Sequence, residues 1–410
     1  MKRFRNRLLI TLAVLGPGLI TAFADNDAGG VATYSVAAAK FGYSIFTTLI
    51  PITIILAITQ EIGARIAIVT GKGLGALIRE QFGIKTSLLV FSLLFLVNFG
   101  VILQDITGLK SALPLFQLDY RIFLPLLIFL LLLFLIKASY KKIEKFFFFL
   151  IVFYLAYFFS AILAKPDWGL AMKSLILPQK PVNFDYFYTA VAVLGTTVTA
   201  WGQFFVNSYI IDKKIPLNRL KYEQAEVLIS SVMTNAFSLF MMIAVAATIY
   251  KFGIPISGAA DASLAIKPFA GELAGTLFGL GLLIAGLLGS AIVPLSTAYV
   301  FSEMFGYEGS LDVTFTKSRL FYSFLLLQIL LGTFVAFFPQ ISLFRITLYV
   351  DFFNGLMLPV IFYFLYKVAN DEHLMGKYKN TRFQNVLLVS AAVVISIAAL
   401  IGGVGKLLAI

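Results

Sequence analysis

Apolar residues in this chain come in long uninterrupted blocks, and polar residues collect in the short intervals between them. A helix needs about 20 mostly apolar residues to cross the hydrocarbon core of a bilayer. Blocks of roughly that length occupy residues 8–24, 41–60, 86–104, 122–136, 146–164, 186–211, 227–250, 273–302, 320–344 and 383–405. Another, 346–366, is interrupted only by Asp351, and the pattern predicts eleven spanning helices. The block at 122–136 is short, and the one at 273–302 is long enough to tilt or to run past the membrane. Only helices and closed barrels can satisfy their backbone in lipid. A barrel would show alternation in segments of about ten residues. The prediction is an all-α integral membrane protein.

Two of the spans have polar, helix-weakening centres. In the first, Asp25-Asn26-Asp27-Ala28-Gly29-Gly30 separates residues 11–24 from 31–40. In the sixth, Gly195-Thr196-Thr197-Val198-Thr199-Ala200-Trp201-Gly202 separates 186–194 from 203–211. Glycines, and side chains that hydrogen-bond their own backbone, weaken a helix. Spans one and six are five apart, as expected if helices 1–5 and 6–10 are inverted repeats. On that reading the chain is one transport domain over 1–410, with repeats at about 8–164 and 185–367 and an extra helix at about 383–408. Discontinuous helices at matching positions point to a transporter's midplane binding site. Close helix packing through Gly and Thr accounts for the sixth span as well, but not for two carboxylates in the first. A charge at the bilayer centre costs at least about 2.5–3.5 kcal/mol and faces a partner or a pathway. Asp25 and Asp27 repel each other, and unwound carbonyls beside them complete an oxygen-rich site suited to a cation.

Composition agrees with the pattern. Of 410 residues, 60% are apolar and 13% charged, where a soluble protein has about 25% charged. This excludes a soluble enzyme and a disordered chain, and the absence of Cys excludes a disulfide scaffold. The surplus of 32 Lys+Arg over 20 Asp+Glu is not a nucleic-acid footprint, because no basic domain exists. With the N-terminus inside, 22 of the 32 basic residues fall on inner segments, as the positive-inside rule requires. The expectation is a multi-pass plasma-membrane protein with a cytoplasmic N-terminus and an outside C-terminus. Its partners would be the bilayer and a transported ion, and a monomer suffices. The basic start, apolar run and Ala22-Phe23-Ala24 resemble a signal peptide, but cleavage would leave an even number of spans and spoil the charge pattern. No phosphate-binding Gly-rich loop, His/Cys cluster or nucleophilic triad is present, so neither an enzyme nor a resident cofactor is expected.

Gly16-Pro17-Gly18 followed by Asp27-Ala28-Gly29-Gly30 resembles the first helix of the Nramp family of divalent-metal transporters, whose signature there is Asp-Pro-Gly-Asn. Residues 60–74, from Gln60-Glu61-Ile62-Gly63-Ala64-Arg65 to Leu74, look like that family's second-helix exit, and Leu194-Gly195-Thr196-Thr197-Val198 resembles its sixth span. The resemblance implies an amino-acid/sodium symporter-type fold of two inverted five-helix repeats plus an extra helix. It also implies a metal held by the Asp27 carboxylate, the Ala24 carbonyl, the residue at Gly30, the Thr196 carbonyl and the Thr199 side chain. Asp351 falls where the family usually has a Gln near the metal, and Asp25 would act through water.

The departures shape the expected cargo. Family members that carry manganese or iron have Asn at the position of Gly30, Met at that of Thr199, and His at those of Trp201 and Val206. A thioether favours transition metals, whereas carboxylates, carbonyls and water suit Mg²⁺, which keeps much of its hydration shell. Hydroxyls in place of the thioether, and room left by the missing Asn, lead to an expectation of partly hydrated Mg²⁺ entering the cytoplasm. The only His, His373, falls in the loop after the tenth span, so no His relay is available. Asp105, set against the family's acidic position in the third helix, is read as a partner of Lys110 or a residue near the outer surface in preference to a proton carrier. Transport uncoupled from protons follows, with the membrane potential supplying roughly 2.3 kcal/mol per charge per 100 mV. The alternatives are a proton-coupled Mn²⁺/Fe²⁺ transporter of the same fold and an organic-solute symporter, whose anionic substrate Asp25 and Asp27 would repel. Of the remaining polar residues, Gln203 and Asn207 share a helical side beyond the second break, on the cytoplasmic exit. Asn98 and Asn354 read as interhelical glue, Trp201 as a wall, and Glu61 and Arg65, four apart, as an ion pair.

Overall fold

The computed structural model describes residues 16–179, 183–254, 271–307 and 309–408, together with positions 256, 262, 263 and 267. Among these residues every regular element is helical. The first span is α1 (Pro17–Ala24) and α2 (Ala28–Phe41); residues 8–15 of the expected block lie outside the described residues. Proline opens α1, where its missing N–H costs nothing. The start of α1 is pinned from a distance, since the Glu226 carboxylate accepts the amides of Gly16, Gly18 and Leu19 at 3.0, 3.1 and 2.8 Å.

Gly42 turns the chain out of α2 with φ at 57°, and a Cβ there would run into the Tyr250 ring. A 3₁₀ stretch then leads into α3 (Leu49–Thr70). The following elements are α4 (Leu74–Ala112, kinked at Gly83), α5 (Tyr120–Lys137), α6 (Tyr140–Val152), α7 (Leu155–Leu163) and the short α8 (Trp168–Lys173). The second half holds α9 (Phe184–Thr197), α10 (Ala200–Lys213), α11 (Leu220–Val245), α12 (Glu272–Phe305), α13 (Arg319–Ala336), α14 (Leu343–Ala369), a single turn α15 (Glu372–Met375) and α16 (Arg382–Leu408). Ten stretches among the described residues are long and apolar enough to cross a membrane. They match the second to eleventh expected spans, with α2 and α3 joined as one 43-residue stretch.

The broken sixth span is the axis of the molecule. Of the apolar window in α9–α10, 94% is buried, against 28% for α5 and for α16, whose Leu, Ile and Phe side chains face outward as lipid requires. At Gly195, α9 touches α14 backbone to backbone, and a Cβ there would overlap the Asp351 carbonyl and stand 2.6 Å from the Gly355 amide. That contact fixes Asp351 beside the sixth span. Two expectations are met nearby: Asn98 bridges α4 to α12 through Thr297 (2.8 Å), and Arg65 pairs with Glu61 (2.9 Å).

Candidate cation site at the two helix breaks

Both breaks are built the same way. After Ala24 the chain closes its last turn with the Asp25 amide on the Thr21 carbonyl (3.1 Å). α2 then restarts with Asp27 as its N-cap, Oδ1 accepting the Gly30 amide at 2.8 Å. In the sixth span α10 restarts with Thr199 as N-cap, Oγ1 accepting the Gly202 amide at 3.0 Å. Asp and Thr are favoured caps because a side-chain oxygen satisfies an orphan amide.

An unbroken helix would bond the Ala28 amide to the Ala24 carbonyl, and the Ala200 amide to the Thr196 carbonyl. Instead the Ala28 amide donates to Asp105 Oδ1 of α4 (3.1 Å), and the Ala200 amide donates to Asn354 Oδ1 of α14 (2.8 Å). Two side chains from other helices take the first amide of each second half-helix. The carbonyls of Ala24 and Thr196 lose their helical partners as a result.

Asp25 ties the two breaks together. Its carboxylate accepts the Thr199 hydroxyl at 2.6 Å and Gln60 Nε2 at 3.2 Å. The Thr199 hydroxyl therefore uses its proton on Asp25 and one lone pair on Gly202, and one lone pair is left. Gly30 has less space than its missing side chain suggests: a Cβ would stand 3.0 Å from the Asp25 carbonyl and 3.4 Å from Thr196 Oγ1. The room expected there is absent because the Asp25 carbonyl, the Thr196 hydroxyl and the Tyr34 ring already fill it. Asp351 sits in a polar collar, accepting from Thr33 (2.5 Å) and Gln104 Nε2 (3.1 Å), with Thr347 Oγ1 at 3.4 Å. The Thr347 hydroxyl also reaches the Gly29 carbonyl (3.1 Å), and Thr196 faces Asp351 from α9.

Asp105 corrects the sequence reading. It is wholly buried against Gly289 of α12, while Lys110 donates to the Ala336 carbonyl at 2.7 Å. Five residues place the two side chains about 140° apart around a helix, so they leave α4 on different faces. Asn26 is a bracket: its side chain engages Thr234 and Ser238, and its carbonyl accepts the Tyr154 hydroxyl (2.8 Å). Trp201 is a fully buried wall whose carbonyl accepts Ser296 (2.9 Å), and His373 is exposed.

Asp25, Asp27, Asp105 and Asp351 are each at most 2% exposed. Among the described residues none of them forms an ion pair. Asp27 and Asp351 lie close enough to repel each other, and Asp105 repels both. No three His, Cys, Asp or Glu side chains converge on one point among the described residues. A cation here would draw on carbonyls, hydroxyls, amides and water besides carboxylates.

Broken first and sixth spans around a buried polar centre define a membrane transporter of the inverted-repeat fold. The chain belongs to the Nramp family: the family's sequence model, described as "Natural resistance-associated macrophage protein-like", matches residues 18–404. The divalent metal cation transporter MntH of Bacillus subtilis is 27% identical over 312 residues, 72% of each chain. The MntH protein of Levilactobacillus brevis is 30% identical over 193 residues, 46% of this chain and 42% of that one. A mutant of the Eremococcus coleocola manganese transporter shares the fold with a TM-score of 0.74 at 18% identity, over 95% of this chain and 86% of that one. The nucleobase-cation-symport-1 family transporter Mhp1, closed around a bound hydantoin, gives a TM-score of 0.55 at 14% identity, over 97% and 89%.

Proposed function

We propose that the chain is a secondary transporter that carries a divalent metal cation through the two helix breaks into the cytoplasm. One observation carries this reading: at and beside the two breaks lie four buried carboxylates with no cationic partner among the described residues, and two carbonyls released from their helices. Uncompensated charge of one sign is costly in a low-dielectric interior, and a divalent cation offsets it. In this reading the cargo is held by Asp27 and Asp351, the Ala24 and Thr196 carbonyls and the remaining lone pair of Thr199. Asp25 stands beside it, and Gly30 offers backbone only.

The relatives named for divalent metal and manganese support a Mn²⁺ or Fe²⁺ cargo. Asp105 Oδ2, buried without a hydrogen-bond partner, supports proton coupling, since it can take up a proton beside Asp27. Proton-coupled Mn²⁺/Fe²⁺ transport is accordingly the first reading. The donor set favours a second, Mg²⁺ without protons, because Thr196 and Thr199 bring oxygen where a soft ligand would select a transition metal.

Ion uptake into proteoliposomes, with internal pH followed, separates them. The first reading expects Mn²⁺ entry with acidification that tracks it, undisturbed by equal Mg²⁺. Mg²⁺ entry at constant internal pH would put the second in its place. Entry of neither ion would end the divalent-metal proposal.

A further inference from the structure

The two helices that hold Asp25 carry a second polar strip beyond it. α3 presents Gln60 and Gly63, three apart and so on one face; α10 presents Gln203 and Asn207, four apart and also on one face. These faces are pressed together. A Cβ on Gly63 would stand 2.8 Å from Asn207 Nδ2, 3.2 Å from Val206 Cγ1 and 3.7 Å from the Gln203 carbonyl. All three amide side chains are fully buried.

The hydrogen bonds show which end of each amide is free. Gln60 uses Nε2 on Asp25 (3.2 Å), and Asn207 uses Nδ2 on the Gln203 carbonyl (2.9 Å). Gln60 Oε1 and Asn207 Oδ1 are left without partners, as are both polar atoms of the Gln203 side chain. Buried polar atoms in folded proteins are nearly always paired, and three unpaired amides on one strip mark a place where a hydrogen-bond donor belongs. The water shell of a divalent cation supplies strongly polarised donors. Neutral amides receive such a shell without stripping it, and their hold is weak enough for the ion to leave. The strip begins at Asp25, the carboxylate shared with the helix breaks, and runs along α3 and α10 in the direction of Arg65.

We infer that Gln60, Gln203 and Asn207 form a second station for the cargo, which holds a divalent cation through its retained water as it departs from the breaks. The inference rests on the divalent-cation reading above.

The test reconstitutes the full chain and measures Mn²⁺ and Mg²⁺ uptake for wild type, Gln203→Leu, Asn207→Leu and Gln203→Glu, with thermal unfolding in detergent as the check on folding. Both leucine variants are expected to lower the maximal rate about tenfold, the scale of one lost hydrogen bond to a charged group, with KM unchanged because the breaks are intact. Gln203→Glu keeps the shape and adds charge, so it should retain the ion, lowering KM and maximal rate together. Leucine variants that unfold like wild type and transport at its full rate would overturn the station. So would Gln203→Glu with an unaltered KM, and that variant decides alone if the leucine variants do not fold. A wild-type protein that moves neither ion removes the cargo reading and the station together, whereas normal wild-type transport with insensitive variants removes only the station.

Discussion

At the scale of single residues, the proposed site divides into groups assigned to a cargo and groups that hold the backbone open. In that reading Asp27 does both. Asp27→Ala removes one carboxylate and one N-cap, so uptake should vanish while stability falls only about 1 kcal/mol, read by thermal unfolding in detergent. Asp105→Asn keeps an oxygen for the Ala28 amide but cannot carry a proton. It should leave the fold intact and abolish the acidification that accompanies metal entry; acidification persisting in this variant would exclude Asp105 as the carrier. Asn354→Leu leaves the Ala200 amide unpaired, at a cost of about 1–3 kcal/mol, and should reduce both stability and uptake. Asp25, Asp27 and Asp351 were legible in the sequence because carboxylates inside apolar blocks need a reason. Asn354 was legible as interhelical glue, but the particular amides that Asp105 and Asn354 hold were not, since they lie 77 and 154 residues away along the chain.

At the scale of elements, the breaks depend on helices that approach closely. Gly195 lets α9 meet the backbone of α14 at Asp351 and Gly355. Gly195→Ala forces the two helices apart, at a cost of about 1–3 kcal/mol for overpacking, and carries Asp351 away from Thr196. Cation affinity measured by isothermal titration should fall more in this variant than in Gly403→Ala, where a Cβ makes only an ordinary 3.6 Å contact with the Phe352 ring. Hydrophobic blocks located the spans well, because lipid demands continuous apolar length. They missed the split of the fifth span into α6 and α7, which turns on local backbone geometry rather than hydropathy.

For the whole molecule, the residues of the proposed site are buried among the described residues, so in the transporter reading a cargo reaches them only when the helices part on one side or the other. The chain has no Cys, so single cysteines can report access without a background. Asn207→Cys and Thr347→Cys should react with an impermeant thiol reagent from opposite faces of the membrane, and added cargo should slow both. Reaction of both from one face would contradict alternating access through the breaks.

The all-helical membrane class, the two breaks and the acids within them follow from composition and order along the chain, because burial in lipid penalises every charge and every interrupted helix locally. Which group releases each carbonyl, how little space Gly30 leaves, and which amide ends remain free along α3 and α10 depend on residues far apart in the chain being packed within a hydrogen bond of one another. Those relations exist only once the helices are assembled.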